Sequence, residues 1–158
     1  MAHEYRATIA WKLQPSDDFP KGRYSRAHEI RFDGGITVPA SASPSVVPLP
    51  FSQENAVDPE ELFVAALSNC HMLTFLDLAR RAGVVIESYE DDAVGIMERI
   101  APQRMAITKV TLRPKIIYRG TPPDPVKLDE LHHQAHEFCF IANSVKTKVT
   151  VEPPIQSA

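Results

Sequence analysis

The stretch Asp58-Pro-Glu-Glu-Leu-Phe-Val-Ala-Ala-Leu-Ser-Asn-Cys-His-Met-Leu-Thr-Phe75 carries the clearest structural signal in this sequence. Asp58 is a favourable N-cap, Pro59 suits the first helical position, and the two glutamates that follow stabilise the positive end of the helix dipole. Gly83 is suited to end a helix. The pattern therefore predicts a helix over residues 59–82, apolar nearly all round and hence buried, with Cys70 at its centre.

Short strands are expected on the N-terminal side of this helix. Residues 5–11 place apolar side chains at every second position, which predicts a half-buried strand. Residues 24–32 alternate in the same way, and Asp33-Gly34 after them predicts a tight hairpin. Residues 36–57 contain four prolines, which indicates an extended segment with little ladder pairing.

The C-terminal side reads as a mixture of strands and one helix. Residues 84–100 and 105–118 predict two long strands of a hairpin. Apolar residues at helical spacing predict a second helix over residues 127–139, and residues 145–151 alternate as a final strand. We therefore predict an α+β fold with antiparallel sheets. A single domain over residues 1–158 follows from the length, which is sufficient for one hydrophobic core.

Composition excludes several functional classes. Two cysteines in 158 residues are far too few for a disulfide scaffold. The N-terminal residues lack the apolar stretch of a signal peptide, which predicts a cytoplasmic protein, and no apolar run is long enough to span a membrane. A net charge of -3 without a basic cluster gives no reason to expect nucleic-acid binding.

Cys70 is the first candidate for chemistry. A buried cysteine is more often an inert core residue than a nucleophile. A reactive thiol in mid-helix needs a nearby cation, because burial alone disfavours the thiolate. Arg23 and Arg26 are the candidate cations. Glu60, ten residues before Cys70, could hold such an arginine through a bidentate pair, although a first-turn glutamate also stabilises any helix.

Cys139 is the second candidate, and two interpretations compete for it. If the following turn opens a short helix, its amides favour the thiolate, and a second thiol near Cys70 would allow a disulfide cycle. Alternatively, His132, His136 and Cys139 share one helical face and are zinc-ligand types. No CxxC or HExxH motif accompanies them, so we expect no metal. His71 points away from Cys70 and is expected to be a hydrogen-bonded core or interface histidine.

Three stretches resemble the OsmC/Ohr family of hydroperoxide-reducing proteins: the helix segment quoted above, Tyr24-Ser-Arg-Ala-His-Glu-Ile-Arg-Phe-Asp-Gly-Gly35, and His136-Glu-Phe-Cys-Phe-Ile-Ala-Asn-Ser-Val-Lys146. The resemblance implies an intertwined homodimer, with antiparallel sheets wrapped around two long central helices and active sites at the subunit interface. Phe140 and the pair His71-Met72 depart from the best-known branch, which suggests a less-studied one.

By the resemblance, Cys70 matches the peroxide-attacking cysteine, Cys139 the resolving cysteine, and Glu60 the glutamate that pairs with a catalytic arginine, for which Arg26 fits better than Arg23. It implies an organic hydroperoxide substrate, possible use of hydrogen peroxide, a thiol or lipoyl-type reductant, and no cofactor. Apolar residues near Cys70 are expected to bind the alkyl part of the substrate: Phe63, Leu67 and Leu73. The alternative is a non-catalytic dimer that binds a small hydrophobic ligand or a metal.

Overall fold

A computed structural model describes residues 2–152 and contains both helices and sheets. Its two main helices and largely antiparallel strands confirm the predicted α+β class. The chain divides into two compact units, one ending at Leu62 and the other starting at Phe63. The single domain over residues 1–158 stays a prediction, and each unit is described by itself.

The N-terminal unit is built on a three-stranded antiparallel sheet, in the order β1 (Ala7–Ala10), β2 (His28–Phe32) and β3 (Thr37–Ala40). The hairpin predicted at Asp33-Gly34 joins β2 to β3 and is confirmed. Gly35 closes this turn with a φ of 85°, a conformation that suits glycine.

Three details of this unit differ from the sequence predictions. The first strand is shorter than residues 5–11 and is not half-buried, since three of its four residues are exposed, among them Ile9 at 62%. The second strand starts four residues late because the Arg26 amide donates to the Phe51 carbonyl instead of a ladder partner. Four residues of the segment 36–57 do pair, as edge strand β3, where Pro39 is tolerated.

Helix α1 (Pro59–Arg81) confirms the strongest prediction. Its start is a capping box: the Glu61 amide donates to Asp58 Oδ1 at 2.8 Å, and the Asp58 amide donates to Glu61 Oε2 at 3.1 Å. Its end is closed by Gly83 with a φ of 76°. The amides of Gly83 and Val84 donate back to the carbonyls of the last helical turn.

The prediction that α1 is buried nearly all round was wrong. Only one stripe at four-residue spacing is fully buried, and it consists of Leu67, His71, Phe75 and Ala79. Leu73, on another face, is 58% exposed. By length and mean hydropathy α1 would be able to cross a membrane, but its buried stripe packs against strands and a second helix of its own unit. The other apolar faces of α1 are not buried by the described residues, and a helix that is apolar on all sides is normally buried on all sides.

The C-terminal unit contains five strands: β4 (Ile86–Asp91), β5 (Val94–Ala101), β6 (Arg104–Leu112), β7 (Pro114–Tyr118) and β8 (Lys148–Val151). β4 pairs with β7 and β5 with β6, both antiparallel, as the long hairpin predicts. The last strand is an exception to the antiparallel prediction, because β8 pairs with β6 in parallel. A parallel pair needs a crossover, and the second helix supplies it.

Each predicted long strand of the hairpin is broken in the middle. The breaks fall at residues 92–93 in one strand and at Arg113 in the other. Asp91 stabilises the break, because its carboxylate accepts hydrogen bonds from the Arg113 amide and from the Ser68 hydroxyl of α1, each at 2.5 Å. The bent hairpin is thereby tied to α1.

Helix α2 (Pro125–Phe138) starts two residues before the predicted boundary. Asp124 is its N-cap, since its Oδ1 accepts from the Lys127 amide at 2.9 Å. α2 buries Leu131 and Ala135 against Phe75 and Ala79 of α1. A second core cluster joins Leu67 to strand residues Val110 and Leu112.

Gly95 marks a close approach of β5 to α1. A Cβ built on Gly95 would lie 2.6 Å from Val64 Cγ2 and 3.3 Å from Ile107 Cγ2. We expect Gly95→Ala to lower the free energy of unfolding by about 1–3 kcal/mol, because this core has no room for another methyl group. Urea unfolding measures the difference.

The matched control is Gly34→Ala, since a Cβ there meets nothing within 4 Å and its φ is not positive. We expect this variant to unfold at the wild-type urea concentration or slightly above it. Equal behaviour of the two variants would contradict the close approach of β5 to α1.

Candidate active site

The structure brings the two thiols together from different elements. Cys70 lies in the middle of α1 and is partly exposed, whereas Cys139 is the C-cap of α2 and only 1% exposed. The Cys70 side chain contributes to the raised pKa of the Cys139 thiol, which places the two side chains next to each other. Both are free thiols, 69 positions apart in the sequence. Their proximity is the geometric requirement for a reversible disulfide.

The environment of Cys139 keeps its sulfur protonated. Burial, followed by the neighbouring Cys70 side chain, raises the pKa of the Cys139 thiol to about 11. The predicted short helix exists as a 3-10 turn, Ala142–Ser144, and the Ala142 amide donates to Cys139 Sγ at 3.4 Å. That amide lowers the pKa, as expected for a helix start, but the cost of burying a thiolate is larger.

Two glutamates in the first turn of α1 have different surroundings. Glu61 is used in the capping box with Asp58. Glu60 is half-buried, and within residues 2–152 its carboxylate takes part in no ion pair. Ten helical residues place Glu60 about 15 Å along the axis from Cys70. Glu60 therefore cannot reach the thiol itself and would need an intermediary.

Arg23 and Arg26, which the sequence left as alternatives, are held differently. Arg23 Nη2 lies 3.0 Å from Asp18 Oδ2 in an ion pair. The Arg26 guanidinium donates to the backbone carbonyls of Gly22 and Tyr24 and lies 3.7 Å from the centre of the Tyr24 ring. Among the described residues, Arg26 has no carboxylate partner within 4 Å. Arg26 therefore keeps its charge available, whereas the charge of Arg23 is already compensated.

The three residues expected to bind the substrate occupy different environments. Leu67 is fully buried in the core cluster with Val110 and Leu112. Phe63 packs at the edge of the same cluster and is partly buried. Leu73 faces outward. Phe63 and Leu67 therefore share one core cluster on one face of α1, whereas Leu73 lies on another face of the same helix.

A histidine pair links the two helices close to the thiols. His71 is 1% exposed, and its Nε2 lies 3.1 Å from Nδ1 of His132, with the two rings stacked. The expectation that His71 is a hydrogen-bonded core residue is confirmed. Its partner was missed, because no spacing rule connects residues 61 positions apart in different helices.

Burial controls the charge of this pair. It lowers the pKa of His71 to about 4 and that of His132 to about 4. The neighbouring His132 and His136 lower the pKa of His71 further, and Asp91 acts in the opposite direction. Both imidazoles are therefore neutral near pH 7.

The alternative metal site does not assemble in the described chain. Over residues 2–152, no three histidine, cysteine or acidic side chains are close enough together to hold a metal ion. His132 is engaged with His71, and Cys139 is in contact with Cys70.

A cleft of about 490 Å³ lies along α2, and neither thiol lines it. Its apolar walls come from β7, β8 and α2: Ile116, Leu128, Val149 and Val151. Histidines 132, 133 and 136 provide its polar edge together with Tyr118 and Asp129. A mostly apolar cleft of this size with a few polar groups is typical of small-molecule sites.

Known proteins share both the sequence pattern and the fold. Residues 52–153 match the family described as OsmC-like protein. The chain belongs to the OsmC-like family. An OsmC-like protein of unknown function from Vibrio cholerae is 50% identical, with a TM-score of 0.92 over 96% of this chain and 99% of that one. No curated protein matches the chain.

More distant solved structures share the OsmC-like fold. One is an organic hydroperoxide resistance protein from Legionella pneumophila, 16% identical with a TM-score of 0.72, covering 98% of this chain and 99% of that one. Another is the organic hydroperoxide resistance protein OhrB of Bacillus subtilis, 19% identical with a TM-score of 0.64, covering 96% and 97%. At these identities the likeness concerns the fold.

Proposed function

We propose that this OsmC-like protein is a thiol-dependent peroxidase that reduces organic hydroperoxides, with hydrogen peroxide as a second substrate. The observation that carries the proposal is that a partly exposed Cys70 and a buried Cys139 lie next to each other. Further support comes from the hydroperoxide-resistance proteins that share the fold.

The accessibility of the two sulfurs supports Cys70 as the residue that takes the first step. Cys139 is buried and protonated near pH 7, so it cannot meet a substrate as a thiolate. The Cys70 thiolate attacks the outer oxygen of the hydroperoxide, and the O–O bond breaks. Cys70 becomes a sulfenic acid, and the alkoxide takes up a proton and leaves as the alcohol.

Cys139 completes the oxidation. Its sulfur attacks the sulfur of the Cys70 sulfenic acid, a disulfide forms, and the hydroxyl leaves as water with the thiol proton. An external thiol or lipoyl-type dithiol then reduces the disulfide and is itself oxidised. The cycle uses cysteine sulfur alone, so no bound cofactor or metal takes part.

Arg26 and Glu60 are assigned to the activation of Cys70. Arg26 has no carboxylate partner in the described chain. Glu60 is the first-turn glutamate that takes no part in the capping box, which Glu61 forms with Asp58. A bidentate pair between them would hold the guanidinium toward the thiolate and the peroxide. We place this pairing in a homodimer, which would also cover the exposed Leu73 and form an alkyl-binding wall at Phe63, backed by the buried Leu67.

Intact mass and free-thiol measurements test the function. Reduced wild-type protein is treated with cumene hydroperoxide in stoichiometric amount. We expect a loss of two hydrogens and of both thiols, because one peroxide oxidises the pair to a disulfide. Cys139→Ser is expected to gain one oxygen as a sulfenic acid and to be oxidised further by excess peroxide.

Cys70→Ser is the matched control, since it removes the attacking sulfur and keeps Cys139. We expect it to keep its mass and its remaining thiol under the same treatment. The peroxidase proposal is wrong if the wild-type thiols react no faster than free cysteine, or if Cys70→Ser consumes peroxide like the wild type.

The cleft beside α2 favours a second candidate, a non-catalytic protein that binds a small hydrophobic molecule. 1-Octanol is a suitable probe, and titration is followed by NMR signals of the valine methyl groups. Shifts of the Val149 and Val151 methyls, together with unreactive thiols, would favour this candidate. Rapid disulfide formation on peroxide treatment would exclude it as the main function.

A further inference from the structure

Three successive contacts join α2 to α1, and the thiols form the last of them. Leu131 and Ala135 pack on Phe75 and Ala79. Next come the hydrogen bond between His71 and His132 and then the two neighbouring cysteine side chains. His71 directly follows Cys70 on α1. His132 lies seven residues before Cys139, two turns away on nearly the same face of α2.

These contacts differ in how strictly they fix the position of α2. Apolar packing is not directional and tolerates small displacements. A nitrogen-to-nitrogen hydrogen bond of 3.1 Å depends on both distance and angle, and a buried imidazole that loses it is left without a partner. Among the described residues, His71 Nδ1 has no other partner, so Nε2 makes the only hydrogen bond of this ring.

A disulfide has stricter requirements than the apolar core. The two sulfurs must come within about 2.05 Å, with the Cα atoms roughly 4.4–6.8 Å apart. A small shift of α2 along α1 leaves the apolar residues in contact but moves Cys139 away from Cys70. Buried polar pairs are well suited to fix the register of two packed helices.

We propose that His71 and His132 are positioning residues that hold α2 in the register in which Cys139 can bond to Cys70. The pair acts through the helices and touches neither the substrate nor the reacting oxygen. This role rests on the proposed two-cysteine cycle and accounts for the hydrogen bond between the buried His71 and the partly exposed His132 near the thiols.

The test measures disulfide formation without any peroxide. Wild-type protein and variants are equilibrated in mixtures of reduced and oxidised glutathione, in which two protein thiols become a disulfide while one oxidised glutathione becomes two reduced molecules. The equilibrium constant reports how well the fold holds the sulfurs together. His132→Leu removes the bond at similar volume, and we expect the constant to fall at least about fivefold.

Two variants separate positioning from general stability. His132→Asn can place an amide near the position of Nδ1, so we expect it to recover most of the loss. In His71→Gln the side-chain amide can likewise take the position of Nε2. This variant replaces His132→Asn in the test if His132→Asn does not fold. Leu128→Ala weakens the same core at a residue outside the pair, and we expect a fall of less than twofold at comparable loss of stability.

The outcomes are distinct. A constant within twofold of wild type for folded His132→Leu overturns the positioning role, as does an equal fall for Leu128→Ala or no recovery in either amide variant. If peroxide fails to oxidise the wild-type thiols but the glutathione constants behave as expected, the peroxidase function is wrong and the positioning role stands.

Discussion

Replacing Arg26 with alanine is expected to lower kcat/KM for cumene hydroperoxide by about a hundredfold or more, the usual cost of removing a charged group that stabilises a transition state. Arg26 has no carboxylate partner among the described residues and is held by two carbonyls and the face of Tyr24. In the proposed mechanism this uncompensated charge would stabilise the Cys70 thiolate and the polarised peroxide bond. Steady-state rates with dithiothreitol as reductant measure the effect.

Arg23→Ala is the matched control, because it removes the same charge three positions away. Arg23 is paired with Asp18, so we expect kcat/KM to stay within about threefold of wild type. A loss of equal size in both variants would point to the loop as a whole, and a larger loss for Arg23→Ala would reverse the assignment. Arg26→Lys is expected to recover little, because lysine lacks the bidentate geometry.

Acidification is expected to destabilise the protein through His71 and His132. The pKa of each imidazole is lowered to about 4 in the folded state, against about 6.5 in an unfolded chain. Between these values the unfolded chain binds more protons than the folded one, so the free energy of unfolding falls as the pH falls. The contribution is complete above about pH 6.5 and, for one imidazole, amounts to roughly 3 kcal/mol.

Urea unfolding at fixed protein concentration, from pH 7 to pH 4, measures this effect. The double variant His71→Gln, His132→Asn keeps polar groups in place but cannot titrate in this range. We expect its stability to fall less than that of the wild type over the same interval. Parallel curves for the two proteins would show that the imidazoles bind protons equally in the folded and unfolded states, contrary to their lowered pKa values. Asp91 and His136 face the pair and are present in both proteins.

Local chemistry made much of the fold predictable. The capping residues around Asp58 and the glycine at position 83 define α1 within one residue, because caps act over a single turn. The β2–β3 hairpin followed from Asp33-Gly34 for the same reason. The two cysteines could be singled out because the fold had no need of a disulfide.

Long-range pairings could not be read from the sequence. Three such pairings join residues more than 20 positions apart. They are the parallel pairing of β8 with β6, the hydrogen bond from the Arg113 amide to Asp91 at the break in the hairpin, and the hydrogen bond between His71 and His132. Alternation and helical spacing describe one element at a time, so they predict that His71 is buried but not its partner. The choice between Arg23 and Arg26 likewise depended on Asp18, which only the folded loop brings to Arg23.

The parallel pairing of β8 has a consequence for synthesis of the protein. Cys139 lies in the crossover between β6 and β8, so its position is complete only when residues 148–151 have joined the sheet. A chain still growing on the ribosome carries Cys70 long before this happens. We expect the nascent protein to pass through a period in which Cys70 has no resolving partner and depends on cellular reductants for protection from overoxidation.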